Sequence, residues 1–350
     1  MDKKSLRCLT LFTILCAPGY VVAQIDVQAL QQAKDQAITM FFDDTQNIDM
    51  RLDAIAQIGY PDDETFDRLL ELGATKTEDD RIRLAALETG LYDERYIEIV
   101  MMIIGDAEES DMLSSELIYD ITRRTTFRQP AELRQTMQAE LRERLDDERD
   151  LTRLAAYRTL VASHDVVAID RIVNGVNDGD PPIPLADAIQ LLDTDGPTRH
   201  VQTVRPFIEN PDPKVQGQAV RVLAVDPDSR QAVVDLAFNP ESAREVRVNA
   251  LRALSREDAE FFAYALRLMS NRQEDPDVRY AAMEGGMARL NYQTVPSSTQ
   301  IQYGRAVESI SRTGSGEFTS DGKNLAVEAK KLVAHLLKYF PSIRKDFARR

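Results

Sequence analysis

Apolar residues recur along this chain with a helical period, and one short phrase keeps returning. It runs apolar residue, Arg, two variable positions, Ala, apolar residue. The clear copies are Met50-Arg51-Leu52-Asp53-Ala54-Ile55, Ile82-Arg83-Leu84-Ala85-Ala86-Leu87, Thr152-Arg153-Leu154-Ala155-Ala156-Tyr157, Val246-Arg247-Val248-Asn249-Ala250-Leu251 and Val278-Arg279-Tyr280-Ala281-Ala282-Met283. Weaker copies fill the gaps at 113–118, 184–189 and 215–220, with Leu117, Ala188 and Ala219 in the Ala position. That position falls at 54, 86, 117, 156, 188, 219, 250 and 282, so successive steps are 32, 31, 39, 32, 31, 31 and 32 residues. A fixed period of this length marks a stack of structural repeats. The single long step coincides with extra residues around Thr125 to Pro130, an inserted loop.

Each copy continues into a second segment of helical periodicity. Phe262, Ala265, Leu266 and Met269 fall at i, i+3, i+4 and i+7, and so do Ile97, Val100, Met101 and Ile104. Turn signals separate the segments: Asp212-Pro213, Asp226-Pro227, Asn239-Pro240 and Asp275-Pro276. One unit is therefore helix, turn, helix, and the small residue in each first helix lets a neighbouring helix approach its backbone. The pattern predicts an all-α chain: an α-solenoid of about eight repeats over residues 47–312. A capping helix lies within 24–46, a flexible loop spans 313–323, and 324–350 hold a second capping helix and a basic tail. The inner stripe of that cap is Leu325, Ala329, Leu332, Val333 and Leu336. The tail beyond Pro341 carries two apolar side chains, with no evident core to join.

These repeats resemble HEAT repeats, in particular the short bacterial PBS-lyase HEAT-like type of the armadillo-type solenoids. The resemblance covers roughly residues 47–310. No Thr-Pro-Leu-His phrase of an ankyrin repeat occurs, and with no Trp the tetratricopeptide signature is incomplete. The resemblance implies a ladder in which an Asp before the helix pairs with the Arg inside it. Asp49, Asp80, Asp150 and Asp277 stand in that relation to Arg51, Arg83, Arg153 and Arg279, and Arg247 holds the same position in its own repeat. Ser114, Leu185 and Gln216 replace the Arg, so the ladder is expected to break there.

The N-terminus has the pattern of a secretory signal. Lys3, Lys4 and Arg7 precede an apolar stretch from Cys8 to Ala17, followed by Pro18-Gly19 and Val21-Val22-Ala23. Residues 1–23 are expected to be removed between Ala23 and Gln24. The short Lys-Lys start points to a bacterial protein exported to the periplasm. Cys8 and Cys16 both lie in the removed segment, so the mature chain has no thiol for disulfides, thiolate metal sites or nucleophilic catalysis.

Candidate chemistry is sparse. His164, His200 and His335 stand in separate repeats without metal-ligand spacing, and none is followed by Glu as in iron-binding HEAT enzymes. The segment Gly316 to Lys323 departs from a phosphate loop in spacing and follows a helix. Asn174 to Pro184 is a conspicuous loop, but its carboxylates miss the positions of a calcium loop. Acidic runs at 62–64, 78–80 and 146–148 suit helix starts, where carboxylates cap free amides. The run Ile99 to Ile104 is apolar on every side, either buried all round or exposing Met101 and Met102 to a partner. No catalytic, cofactor or metal site is expected, and the chain is expected not to be an enzyme.

Charge adds a polarity. The whole chain carries −15, residues 323–350 carry +6, and removal of the signal leaves residues 24–322 at −23. Such an acidic body repels nucleic acid and suits a basic protein surface or a salty medium. Arg344, Lys345, Arg349 and Arg350 at the tail are candidate docking residues for an acidic partner or, weakly, an anionic membrane. The expected function is a non-catalytic scaffold or adaptor that holds a protein or peptide on the solenoid surface. The alternatives are a cell-envelope structural protein docked by its basic end, and a lyase-like enzyme or chaperone acting on a partner protein.

Overall fold

The computed structural model describes residues 27–89, 94–125, 131–257, 260–292 and 294–349. The expected signal, the inserted stretch 126–130 and Arg350 lie outside the described residues. Among the described residues there are nineteen α-helices, two short 3-10 turns and no strand, only an isolated antiparallel bridge between Phe318 and Asn324. No helix among them is long and apolar enough to cross a membrane. The chain divides into two compact units between Leu113 and Ser114.

The first unit contains α1 (Val27–Phe42), α2 (Ile48–Ile58), α3 (Asp63–Ala74), α4 (Asp80–Thr89) and α5 (Glu94–Gly105). Helix α1 packs on α2, α2 on α4, α3 on α4 and α3 on α5. Ala37, Phe41, Ala54, Ile55, Ile58, Leu69, Ile82 and Ala86 form its shared core. Helix α6 (Asp111–Thr125) spans the division.

The second unit continues with α7 (Ala131–Glu143), α8 (Asp150–Ala162), α9 (Val166–Asp178), α10 (Leu185–Asp195), α11 (Pro197–Val204), α12 (Pro213–Leu223), α13 (Arg230–Phe238) and α14 (Arg244–Glu257). It closes with α15 (Phe261–Ser270), α16 (Pro276–Tyr292), α17 (Ser297–Thr313), α18 (Leu325–Tyr339) and α19 (Pro341–Ala348). Its first helices form one row, α8 to α10 to α12 to α14 to α16 to α18, each touching the next. The second helices lie beside them, with α9 on α11 and α15 on α17. Rows of this kind are the packing of an α-solenoid. The eight repeated positions, seven Ala and Leu117, are all buried, none more than 2% exposed. The acidic runs serve as caps, as their placement predicts. Asp62 accepts from the Thr65 amide at 2.8 Å, and Asp79 from the Arg81 amide at 2.9 Å, while Asp147 accepts from the Arg149 amide just before its helix at 2.9 Å.

The arginine ladder is present, but its partners differ from those expected. Arg51, Arg83, Arg247 and Arg279 are each at most 4% exposed. Nε of the first three donates to the carbonyl of the residue ten positions earlier: Phe41 at 2.8 Å, Gly73 at 3.0 Å and Ala237 at 3.1 Å. Nη2 of Arg279 does the same to Met269 at 3.2 Å. Each acceptor is the penultimate residue of the preceding helix, whose last carbonyls lack intrahelical partners. The other side of each guanidinium grips a glutamate of the next repeat. Arg51 holds Glu78 at 3.2 and 2.7 Å, Arg83 holds Glu109 at 2.8 and 2.7 Å, and Arg247 holds Glu274 at 2.8 Å twice. Arg279 pairs with Glu317, delivered by the turn 313–323.

Only part of the Asp pairing survives. Asp150 meets Arg153 at 2.5 Å and Asp80 meets Arg83 at 3.4 Å, whereas Asp49 pairs with Arg81 and Asp277 with Arg244. The buried guanidinium faces back toward the preceding helix and forward to the next turn. Of the helix-start aspartates, Asp49 and Asp150 point outward, 79% and 85% exposed.

Two positions improvise. Arg153 donates to the carbonyls of Asp147 at 2.6 Å and Pro182 at 3.0 Å, so the proline turn takes the place of the glutamate. That turn packs close: a Cβ on Gly175 would lie 2.8 Å from Pro182 Cδ. The stretch 174–184 is thus helix as far as Asp178, closed by Gly179 in the left-handed region at φ 78. At the expected break, Gln216 still donates to the Ile208 carbonyl at 2.7 Å.

Arg83 and Glu109 are the most buried pair, with side chains 1% and 5% exposed. The hydrogen bonds from Arg83 outweigh burial and hold the Glu109 carboxyl below the usual glutamate range. A carboxyl lowered on folding stabilises the fold at pH above its unfolded value, near 4.5, and that stability is lost as pH falls through the folded value. Thermal melts of the wild type should therefore fall steeply below that pH. Glu109→Gln should cost about 3 kcal/mol at neutral pH, because it takes away the buried cation's two-point counter-ion and leaves only Asp80 at 3.4 Å, and should flatten the acid limb. Melts across pH check both. For the repeat register, Ala250→Arg should cost about 3 kcal/mol or more by overpacking a closed helix contact and burying a charge. Ala162→Arg, on an exposed position of α8, should stay within about 0.5 kcal/mol of wild type.

Candidate functional site

The last two helices carry an outer surface of a different character from the rest. Asn324 caps α18 by accepting from the Val327 amide at 3.1 Å. Leu325, Ala329 and Leu336 are buried, while Leu332 and Val333 of the expected stripe are half-buried. The complementary face, Val327, Lys330, Lys331, Ala334 and Lys338, is exposed throughout. These residues follow helical spacing and form one stripe.

The tail beyond Pro341 does have a core to join, contrary to the sequence expectation. It forms α19, with Pro341 in the first turn. Ile343 is fully buried against Gly304, where a Cβ would come within 2.9 Å of Ile343 Cγ2. Arg305 holds Asp346 at 3.0 and 2.5 Å, and Ser342 donates to Gln300 at 2.5 Å. The absent side chain at Gly304 is what lets the helix dock. Arg344, Lys345 and Arg349 are left on the exposed side. Lys330, Lys338, Arg344, Lys345 and Arg349 have no carboxylate partner among the described residues, whereas Lys331 pairs with Glu328 at 2.6 Å. Lys338 lies 4.8 Å from the ring centroid of Tyr339, which is 55% exposed.

The remaining candidates are dispersed. Arg51, Arg83, Arg153, Arg247 and Arg279 are internal bracing. In the first unit Val100, Ile103 and Ile104 of α5 are buried, Met101 is half-buried and Met102 is exposed. The run is therefore neither wholly buried nor a broad patch. The α18 lysines belong to the basic stretch 323–350 read from the sequence but not to its docking candidates, although they are the complement of the recognised stripe.

The histidines also come out differently. His164, from the turn after α8, and His200, from α11, meet on the single buried carboxylate of Asp195. Nδ1 of His164 lies 2.9 Å from Oδ1, and Nε2 of His200 lies 2.8 Å from Oδ2. Burial would raise the Asp195 carboxyl, but hydrogen bonds from the two imidazoles outweigh it and hold the group below its usual value. His164 closes α8 in the left-handed region at φ 57, and its side chain is 65% exposed. The carboxylate thus orients one imidazole edge and leaves the other toward solvent, the arrangement of a proton-transfer dyad. The two imidazoles engage different carboxylate oxygens, and no group of three or more possible metal ligands is found among the described residues.

No family model and no curated protein matches the sequence. Among solved structures, the complex of CpcE and CpcF of phycocyanin lyase from Nostoc sp. PCC7120 matches at 15% identity and a TM-score of 0.35, covering 87% of this chain and 94% of that chain. The fold is an all-α solenoid of stacked helix pairs. The matched protein is a lyase, and the expectation that this chain is not an enzyme is corrected on that finding.

Proposed function

We propose that this chain is an exported periplasmic protein of the short bacterial HEAT-like type, which binds an acidic partner protein through the outer face of α18 and α19. The observation that carries the proposal is the set of five exposed cations without carboxylate partners, interleaved with exposed Val327 and Tyr339. The four buried ladder arginines are each matched by a glutamate, whereas these exposed cations are open to an external anion. The apolar side chains favour a protein over a lipid surface, because a docked protein can close over them and exclude water.

Removing α19 would expose Ile343's packing site and confuse folding with binding. The informative variant reverses charge on exposed positions alone: Arg344→Glu, Lys345→Glu and Arg349→Glu together. Chemical crosslinking in periplasm, followed by titration of the captured acidic protein, should show association weakened about tenfold or more and a smaller salt dependence. Unchanged affinity, or binding to anionic vesicles with no captured protein, would overturn the reading.

A second reading, chemical action on the bound partner, is favoured by the exposed His164 held on Asp195. His164→Gln should leave partner affinity intact and abolish any change in the partner's mass during incubation. A mass change that persists in the variant excludes His164 from the chemistry.

A further inference from the structure

A cavity of about 410 Å³ lies in the second unit between α15, α16 and the turn leading into α17, remote in sequence from the basic face. Its size is that of a small-ligand pocket. Phe262 and Leu266 of α15 form one wall, and Val295 and Pro296 of the turn another. Thr294, Thr299 and Gln302 add polar groups to the lining, and into this space comes Arg289 of α16, which is only 9% exposed.

Arg289 differs from every buried arginine of the ladder. Its Nη1 donates to the Ser255 carbonyl at 3.2 Å, and it has no carboxylate partner among the described residues. A buried guanidinium without a counter-ion is costly, and in the four ladder positions a glutamate, gripped at two points in three of them, removes that cost. Here the remaining donors of a planar fork line a cavity. Such a fork matches the two oxygens of a carboxylate.

We propose that this cavity binds a single carboxylate carried on an apolar group. The carboxylate sits on Arg289, and the apolar part packs against Phe262 and Leu266. Glu260 also lines the cavity and is exposed, with Oε2 accepting from the Tyr264 hydroxyl at 3.1 Å. Its negative charge disfavours a second anionic group, so the ligand carries one carboxylate. Two sources supply that chemistry: the C-terminal residue of a polypeptide with an apolar side chain, and a free apolar acid.

The chain contains no tryptophan, so an indole on the ligand is the only one present and reports binding directly by fluorescence anisotropy. The probes are indole-3-propionate, its amide, and a short neutral peptide ending in Trp as free acid and as amide. The free acids should bind and the amides should not. Binding of the peptide acid alone identifies a chain end as the ligand, and binding of indolepropionate with equal or greater affinity identifies a free acid. Arg289→Gln should weaken binding about tenfold or more, as expected for loss of a charge-assisted pair. Leu266→Glu, on a half-exposed wall position, should also weaken it and guards against misfolding of the arginine variant. Equal binding of acid and amide, no binding of either acid to the wild type, or full affinity in both variants would overturn the proposal.

Discussion

The structure depends on how the free ends of its helices are closed. A stack of short helices multiplies unpaired carbonyls, and each occurs where the next repeat must pack. A buried arginine solves this locally. One edge of the guanidinium takes the penultimate carbonyl of the helix before it, and the other takes a glutamate from the turn that opens the next repeat. The cation also meets the negative end of the helix dipole. Three consecutive elements are thereby tied through one side chain. The glutamate is fixed in turn by its own backbone, since Glu78, Glu109 and Glu274 each accept from the following amide.

The same constraint explains where the ladder changes. What the arginine must satisfy is a carbonyl behind and an acceptor ahead. Arg153 finds its forward acceptor in the carbonyl of Pro182, and Gln216 reaches back to Ile208 with no charge at all. At the C-terminal end Glu317 arrives by a longer turn, held by the Phe318–Asn324 bridge and by the Leu325 amide donating to the Glu317 carbonyl. Rungs can thus vary in chemistry while the stack keeps its spacing.

Charge left over after this bracing is what distinguishes the surfaces. Carboxylates are used within the repeats as caps and counter-ions, yet residues 24–322 remain strongly acidic. The basic residues of the last two helices face outward because Ile343, Leu325, Ala329 and Leu336 take the inward positions. Packing, not charge, orients that face. Arg289 is an interior arginine that stands outside the ladder, and the difference is one of partners, not of burial.

Much of the architecture was legible in the residue order. The repeat period, the helix-turn-helix unit, the small buried position and the identity of the bracing arginines follow from local spacing, because helical periodicity is a property of neighbours in sequence. The arginines' partners were not legible. Glu109 lies 26 residues from Arg83, and nothing local distinguishes it from the capping carboxylates around it. Nor could spacing reveal that His164 and His200 share Asp195, that Gly304 admits Ile343, or that Arg289 opens on a cavity. Those depend on which side chains meet when separate helices pack. The sequence alone determines the period and the faces of each helix; the tertiary structure decides which buried charge finds a counter-charge and which does not.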